Sequence, residues 1–261
     1  MHEGSVVLEC EHTFVRPLDT RRDALQLVGL GLNDSEIARR LDVPRTTVRD
    51  WRRPSYMPKR AAGSRCPLCG GRSRQVAIEA EPYAELLGLY LGDGHITDMA
   101  RTQRLRIFLD AKYPAIVDAA EELVRALLPE NQVGRLEAEE GRMAVIRVYS
   151  GHLSCLLPQH GDGKKHERPI VLEPWQRDLV RDAPWAFLRG MIRSDGCVFI
   201  NRTGPYEYLS YDFANHSDDI LGLFERVCLS LGLRPRRTSR RVRLNRREDV
   251  ARLVEHVGLK A

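Results

Sequence analysis

The chain has 261 residues, 43% of them hydrophobic and 30% charged, an ordinary composition for a globular protein with room for two or three units. No apolar run approaches the roughly 18 to 20 residues that a membrane span needs, and residues 1–7 lack the basic start and apolar stretch of a signal peptide. These features give no ground for a membrane protein, and the chain is expected in the cytoplasm.

The net charge of +5 is modest but unevenly placed. Trp51 to Arg74 holds seven Lys or Arg and no acid, and Arg234 to Arg247 holds eight arginines and no acid. Such runs are either solvated surface or phosphate contacts, and two of them in one chain favour phosphate. The six cysteines stand at 10, 66, 69, 155, 197 and 228, with one close pair, which is no disulfide framework but suits thiols or metal ligands.

The first element expected is a helix over Thr20 to Leu32, with Leu25, Val28 and Leu32 at helical spacing. Asn33-Asp34-Ser35-Glu36 supplies a capped start for a second helix whose apolar face is Ile37, Ala38 and Leu41. After a short turn at Asp42-Val43-Pro44, a third helix runs from Arg45 to Arg53 with Val48 and Trp51 inward. This pattern resembles helix-turn-helix domains of the homeodomain-like kind, in which the last helix enters the major groove. The resemblance makes Arg45, Thr46, Thr47 and Arg49 the base-reading residues and Arg52 and Arg53 phosphate contacts. An ordinary three-helix unit that binds protein is the alternative.

Residues 54–81 read as a basic linker, rich in Pro, Gly, Arg and Ser. Within it, Cys66-Pro-Leu-Cys69-Gly is half of a zinc knuckle, because two thiolates three residues apart can share one tetrahedral ion while the glycine permits the tight turn. Cys10 and His12 are candidates for the missing ligands of a structural zinc ion; a reduced thiol pair is the alternative.

Two segments about a hundred residues apart then repeat one frame, Leu86-Leu-Gly-Leu-Tyr-Leu-Gly-Asp-Gly94 and Leu188-Arg-Gly-Met-Ile-Arg-Ser-Asp-Gly196. Small residues fall four apart in each, Gly88 with Gly92 and Gly190 with Ser194, so two such helices can pack with their backbones close. Each helix ends in an aspartate, Asp93 or Asp195, where the helix dipole and the unpaired carbonyls repel negative charge. A divalent cation such as Mg²⁺, held by both carboxylates, would offset that repulsion.

These helices resemble the paired signature helices of the LAGLIDADG, or DOD-type, homing endonucleases in their single-chain form. The resemblance covers roughly Pro82 to Leu259 and implies an α+β fold, two pseudo-symmetric αββαββα modules forming a saddle, behind a small all-α domain. The domains are expected at 1–53, 54–81, 82–174 and 175–261. Past Asp93, strands are expected at His95 to Met99 and Gln103 to Asp110, a helix at Tyr113 to Leu128, strands within Val133 to Ser150 and a short helix to Gln159. Past Asp195 the order recurs: strands Cys197 to Asn201 and Tyr206 to Asn215, helix Ser217 to Leu231, hairpin Arg234 to Arg246 and helix Glu248 to Val257.

Alternation puts Leu105, Ile107 and Leu109 on one face of a strand and Arg104, Arg106 and Phe108 on the other. Likewise Val242 and Leu244 point inward, while Arg241, Arg243 and Asn245 point outward, with Tyr208, Ser210 and Asp212 on the matching face of the preceding strand. The resemblance lays these outward faces on double-stranded DNA, where arginine suits guanine edges and asparagine adenine; a solvated strand face is the alternative. It also implies magnesium-dependent phosphodiester hydrolysis by Asp93 and Asp195, assisted by a basic group from the loop between modules, Lys164 or Lys165. The repeat already supplies a two-fold, so a monomer is expected. The competing reading is a DNA-binding regulator on the same fold that no longer cuts. Intein splicing is disfavoured, because the chain ends in Leu259-Lys260-Ala261 rather than His-Asn.

Overall fold

The structure, a computed structural model, describes residues 18–52, 66–70 and 77–260. The chain forms two compact units, residues 1–62 and 63–261.

The first unit consists of α1 (Leu18–Gly29), α2 (Asp34–Arg40) and α3 (Arg45–Trp51). The Asn33 side chain accepts from the Ser35 and Glu36 amides while Glu36 Oε2 accepts from the Asn33 amide at 2.9 Å, so the orphan donors at the start of α2 are satisfied. Asp42, at φ 49°, makes the left-handed bend before α3. Ala24, Ile37, Val43, Val48 and Trp51 form the core, with Leu27, Val28 and Leu32 against it. Leu25, expected inside, is 40% exposed. The buried face of α1 passes through Ala24 instead, one helical step away, where a small side chain lets its neighbours approach.

The second unit begins, after the short segment 66–70, with α4 (Ala80–Asp93), which runs into β1 (Gly94–Met99) and β2 (Thr102–Asp110). There follow α5 (Pro114–Leu127), β3 (Val133–Ala138), β4 (Met143–Ser150) and the single turn α6 (Leu153–Leu156). A 3-10 turn at Lys165–Glu167 and α7 (Pro174–Asp182) lead to the second half. This comprises α8 (Pro184–Asp195), β5 (Gly196–Thr203), β6 (Tyr206–Ala214), α9 (Asp218–Ser230), β7 (Arg236–Thr238), β8 (Arg241–Leu244) and α10 (Arg247–His256). The two halves share one topology, antiparallel sheets in the orders β1-β2-β4-β3 and β5-β6-β8-β7. The expected αββαββα order therefore occurs twice.

One continuous core joins the halves through α4 and α8. Both helices are buried nearly all round, as a central packed pair must be. The sheets contribute one face each: Leu105, Ile107 and Leu109 from β2, Tyr211 and Phe213 from β6, Val242 and Leu244 from β8.

Helix α7 was not foreseen. It starts at Pro174, a residue suited to a first helical turn, and carries Gln176, which is wholly buried. The Gln176 amide donates to the Tyr83 hydroxyl at 2.7 Å, and its oxygen accepts from Gln159 at 2.6 Å, while Tyr83 donates to the Leu156 carbonyl. This satisfied polar network pins the connection between the halves against α4.

Candidate functional site

The repeated small residues act as a pair of helix-to-helix seats. A Cβ on Gly88 would stand 2.5 Å from the Phe187 carbonyl oxygen, and one on Gly190 would overlap the Glu85 carbonyl oxygen. No side chain fits at either position without forcing the helices apart. A Cβ on Gly92 would collide with Ser194 and lie 3.0 Å from Asp195 Oδ2, so the Asp195 carboxylate rests against the last turn of α4. The register is further set by Glu85, 3% exposed, which accepts from Arg189 Nε at 2.7 Å and is also paired with Arg193.

This packing brings two carboxylates together in poor solvent. Burial pushes the Asp93 carboxyl from 3.8 up to about 7; the Asp195 charge adds to the rise, and Lys260 and Lys165 oppose it. Burial also raises Asp195, opposed by a hydrogen bond from Asn215 Nδ2 at 2.6 Å and by both lysines.

The lysines are arranged as a symmetric pair. Lys165 Nζ donates to the carbonyls of Tyr90 and, at 3.1 Å, Gly92, and lies 4.8 Å from the centre of the Tyr90 ring. Lys260 Nζ donates to the carbonyls of Ser194 at 2.6 Å and Gly196 at 3.0 Å. Each ammonium thus caps the tail of one signature helix, where the dipole favours a cation. Burial lowers both ammonium groups, Lys165 from 10.5 to about 8.

The repulsion at the helix tails is therefore already offset by protein, and a metal is not required on that ground. The donor set still fits a hard divalent ion, because two carboxylates close enough to repel each other stand at the helix tails with their main-chain carbonyls. Two ammoniums balance two carboxylates formally, so an added dication needs further negative charge nearby, which a phosphate backbone supplies.

The cleft beside these tails has a volume of about 420 Å³ and is lined by Tyr90, His95, His160, Lys165, Asp195, Asn215 and His216, among others. Lys164 stands at its rim, 74% exposed, with Nζ 3.7 Å from Glu167. Of the two lysines expected from this loop, Lys165 reaches the helix tail. Sequence reasoning missed Lys260 and Asn215. The signal for Lys260 was present: it follows the second module as Lys165 follows the first.

The outward strand faces carry the expected side chains. Register places His95, Arg106 and Arg147 in one row across the first sheet and Thr97, Arg104 and Tyr149 in the next. In the second sheet Cys197, Asp212, Arg243 and Arg236 form the corresponding row. Tyr208 is half-exposed and its hydroxyl accepts from Asn201 at 3.3 Å. Arg241 and Arg243 do not stand alone: both donate to Asp212 Oδ2, at 3.1 and 3.0 Å. Arg147 and Tyr149 were not foreseen, because the pairing of β4 with β2 is invisible along the chain.

Eight side-chain polar atoms are buried without a hydrogen-bond partner among the described residues, and six of them lie on these two faces: Thr97 Oγ1, Arg104 Nε, Arg106 Nε, Ser210 Oγ, Asp212 Oδ1 and Asn245 Oδ1. Buried donors and acceptors are rarely left unpaired in a native fold. Their clustering marks both faces as surfaces suited to polar partners.

In the first unit Arg45, Thr46 and Arg49 are exposed on α3 and Thr47 is half-buried, opposite Val48 and Trp51. Arg52 is tied to Asp34 at 2.7 Å. Arg53 lies outside the described residues, as do Cys10 and His12. Among the described residues, the donors that meet Cys66 and Cys69 are His152 and Cys155.

No curated protein matches the chain. Among solved structures it resembles the N-terminal LAGLIDADG domain of DUF199/WhiA, at 16% identity and a TM-score of 0.46 over 71% of this chain and 86% of that one. Full-length DUF199/WhiA from Thermatoga maritima matches at 15% and 0.45 over 71% of this chain and 57% of its own length. The homing endonuclease I-WcaI bound to its DNA recognition sequence matches at 13% and 0.46 over 71% of this chain and 84% of that one. Among the described residues no helix is long and apolar enough to cross a membrane. Residues 17–53 match the homeodomain-like domain family and residues 182–258 the LAGLIDADG-like domain family, so the second half of the repeat is a LAGLIDADG-like domain behind an N-terminal helix-turn-helix.

Proposed function

We propose that this protein binds double-stranded DNA along its two outward sheet faces and hydrolyses phosphodiester bonds at the paired helix tails, acting as a monomeric site-specific endonuclease. The observation that carries the reading is the meeting of Asp93 and Asp195 at the Gly92–Ser194 contact, with Lys165 and Lys260 on the same two tails.

Asp93 and Asp195 would hold a divalent ion such as Mg²⁺, which when bound supplies positive charge at the phosphate and acidifies water. Lys165 and Lys260, kept at the helix tails by main-chain carbonyls, stabilise negative charge on the phosphate as it is attacked. Asn215 holds the Asp195 carboxylate in place through Oδ2. Binding falls to Arg104, Arg106, Tyr208, Arg241 and Arg243 on the strands and to Asn245 just past β8, supported by the unpartnered atoms of Arg104, Arg106 and Asn245. Arg45, Thr46, Thr47 and Arg49 on α3, with Arg52 and Arg53 next in sequence, give a second DNA contact of the helix-turn-helix kind.

A second reading, a DNA-binding regulator that does not cut, is favoured by one observation: the lysines neutralise the acid pair without metal. The two are separated by incubating wild type, Asp93→Asn and Asp195→Asn with a genomic-fragment library and Mg²⁺. We expect all three to retain fragments and only wild type to break both strands. Fragments retained but unbroken by wild type over a range of metal concentrations would reject the endonuclease in favour of the regulator.

A further inference from the structure

We infer that Cys66, Cys69, His152 and Cys155 form a structural zinc centre that fastens the segment before the first module to the corner between β4 and α6. The inference is independent of the reading of the acid pair. The four donor atoms all lie within 4.8 Å of one another. Tetrahedral zinc with bonds of about 2.3 Å to sulfur and about 2.05 Å to nitrogen sets its sulfurs about 3.8 Å apart and sulfur and nitrogen about 3.6 Å apart. His152 Nδ1 is 3.4 Å from Cys69 Sγ and 3.8 Å from Cys155 Sγ, which matches those edges before any ion is placed. The three cysteines are thiols rather than disulfides. Three soft sulfurs and an imidazole select zinc over the hard ion suited to the acid pair.

Local geometry on both sides serves this purpose. Cys66 to Gly70 is a tight knuckle closed by the Gly70 amide on the Cys66 carbonyl at 2.9 Å, and Gly70 has φ +68°, which a side chain would resist. Opposite it, His152 and Cys155 are three residues apart at the start of α6, on one side of the turn, while Leu153 and Leu156 are buried in the core. Ser154 N–H donates to Gln103 Oε1 at 2.8 Å, which anchors the turn on β2. Neither a five-residue knuckle nor a four-residue helix is stable by its own hydrogen bonds. Cys66 is 1% exposed and Leu68 packs on the core, so the knuckle is already seated where a metal would lock it. The pair 66/69 and the pair 152/155 are distant in sequence, which is why the CxxC motif alone looked like half a site.

The test is the metal content of the full-length protein, purified without chelator, together with its Co²⁺-exchanged absorption spectrum. One zinc per chain is expected, with a sulfur-to-cobalt charge-transfer band and the intense visible bands of a tetrahedral ion. Cys69→Ser and Cys155→Ser should weaken zinc binding more than about 100-fold, beyond the loss usual for outer-shell changes. Cys10→Ser and Cys228→Ser should leave both readouts unchanged. Metal-free wild type, weak octahedral cobalt bands, iron in place of zinc, or loss of zinc in Cys10→Ser would each overturn the proposal. The wild-type measurements decide the matter even if a ligand variant fails to fold.

Discussion

The two halves of the second unit share a topology yet differ in chemistry at equivalent positions. Gly94 pairs with Ile107 and Gly196 with Phe213, so Arg106 in the first half corresponds to Asp212 in the second, and Leu109 to Asn215. On the first sheet Arg106 faces Arg147 with no carboxylate between them; on the second, Asp212 holds Arg243 and Arg241. At the helix tails, Asp195 is held by Asn215, whereas the position matching Asn215 in the first half is a core leucine. The helix pair and its lysines obey the two-fold, because close backbone packing tolerates few solutions. The surfaces facing a partner do not obey it. A symmetric frame with unlike faces suits a target whose two halves differ in sequence.

The comparison can be broken or sharpened by substitution. The largest effect is expected at the shared helix seam, where Gly190→Leu puts a side chain into the Glu85 carbonyl. Overpacking of this kind costs about 3 kcal/mol or more, and urea denaturation should find the variant largely unfolded. Glu85→Gln, which takes the carboxylate from Arg193 while Arg189 keeps Glu81, comes next, at about 3 kcal/mol or somewhat less because both arginines retain some solvent. A variant as stable as wild type would show that the buried ion pair does not hold the register.

The difference between the two acids gives a pH dependence. A carboxyl whose folded pKa lies above its unfolded value contributes stability that is whole below the unfolded value and is lost as pH rises through the folded one. For Asp93 that window runs from 3.8 to about 7. Melting of chelator-treated protein should therefore show wild type losing ground to Asp93→Asn across this range. Asp195→Asn removes the neighbouring charge and should lower the Asp93 carboxyl toward its ordinary range, a shift readable by carboxyl-carbon NMR.

The smallest effect is expected at the sheets. Arg106→Ala should weaken DNA binding and reduce the salt slope by about 1, the mark of a phosphate contact. Arg243→Ala should cost less in salt slope, since Asp212 already draws on its charge, and Asp212→Asn should steepen the slope by releasing two arginines. Equal slopes for Arg106→Ala and Arg243→Ala in filter-binding titrations would mean that the asymmetry of the faces has no bearing on DNA.

Much of this architecture is legible along the chain because it depends on neighbours in sequence. The period of Leu86 to Gly94 and of Leu188 to Gly196, the Asn33 cap and the alternation of Leu105 to Leu109 are local patterns with one economical structural solution. The contribution of Ala24 rather than Leu25 to the first core was less legible, since both sit near the edge of one helical face. Helix α7 escaped because its apolar residues, Trp175, Leu179 and Val180, are few and its burial depends on Gln176 finding Tyr83 and Gln159.

By itself, then, the order of residues determined two helical frames with small-residue seats, two terminal acids and a pair of sheets with one basic face each. Only the folded chain decided that Lys260 caps one helix tail as Lys165 caps the other, that Asp212 restrains two arginines, and that His152 and Cys155 lie beside Cys66 and Cys69. The physical reason is distance along the chain: strand register and helix packing bring together groups separated by many residues, and such contacts leave no periodic trace in the sequence.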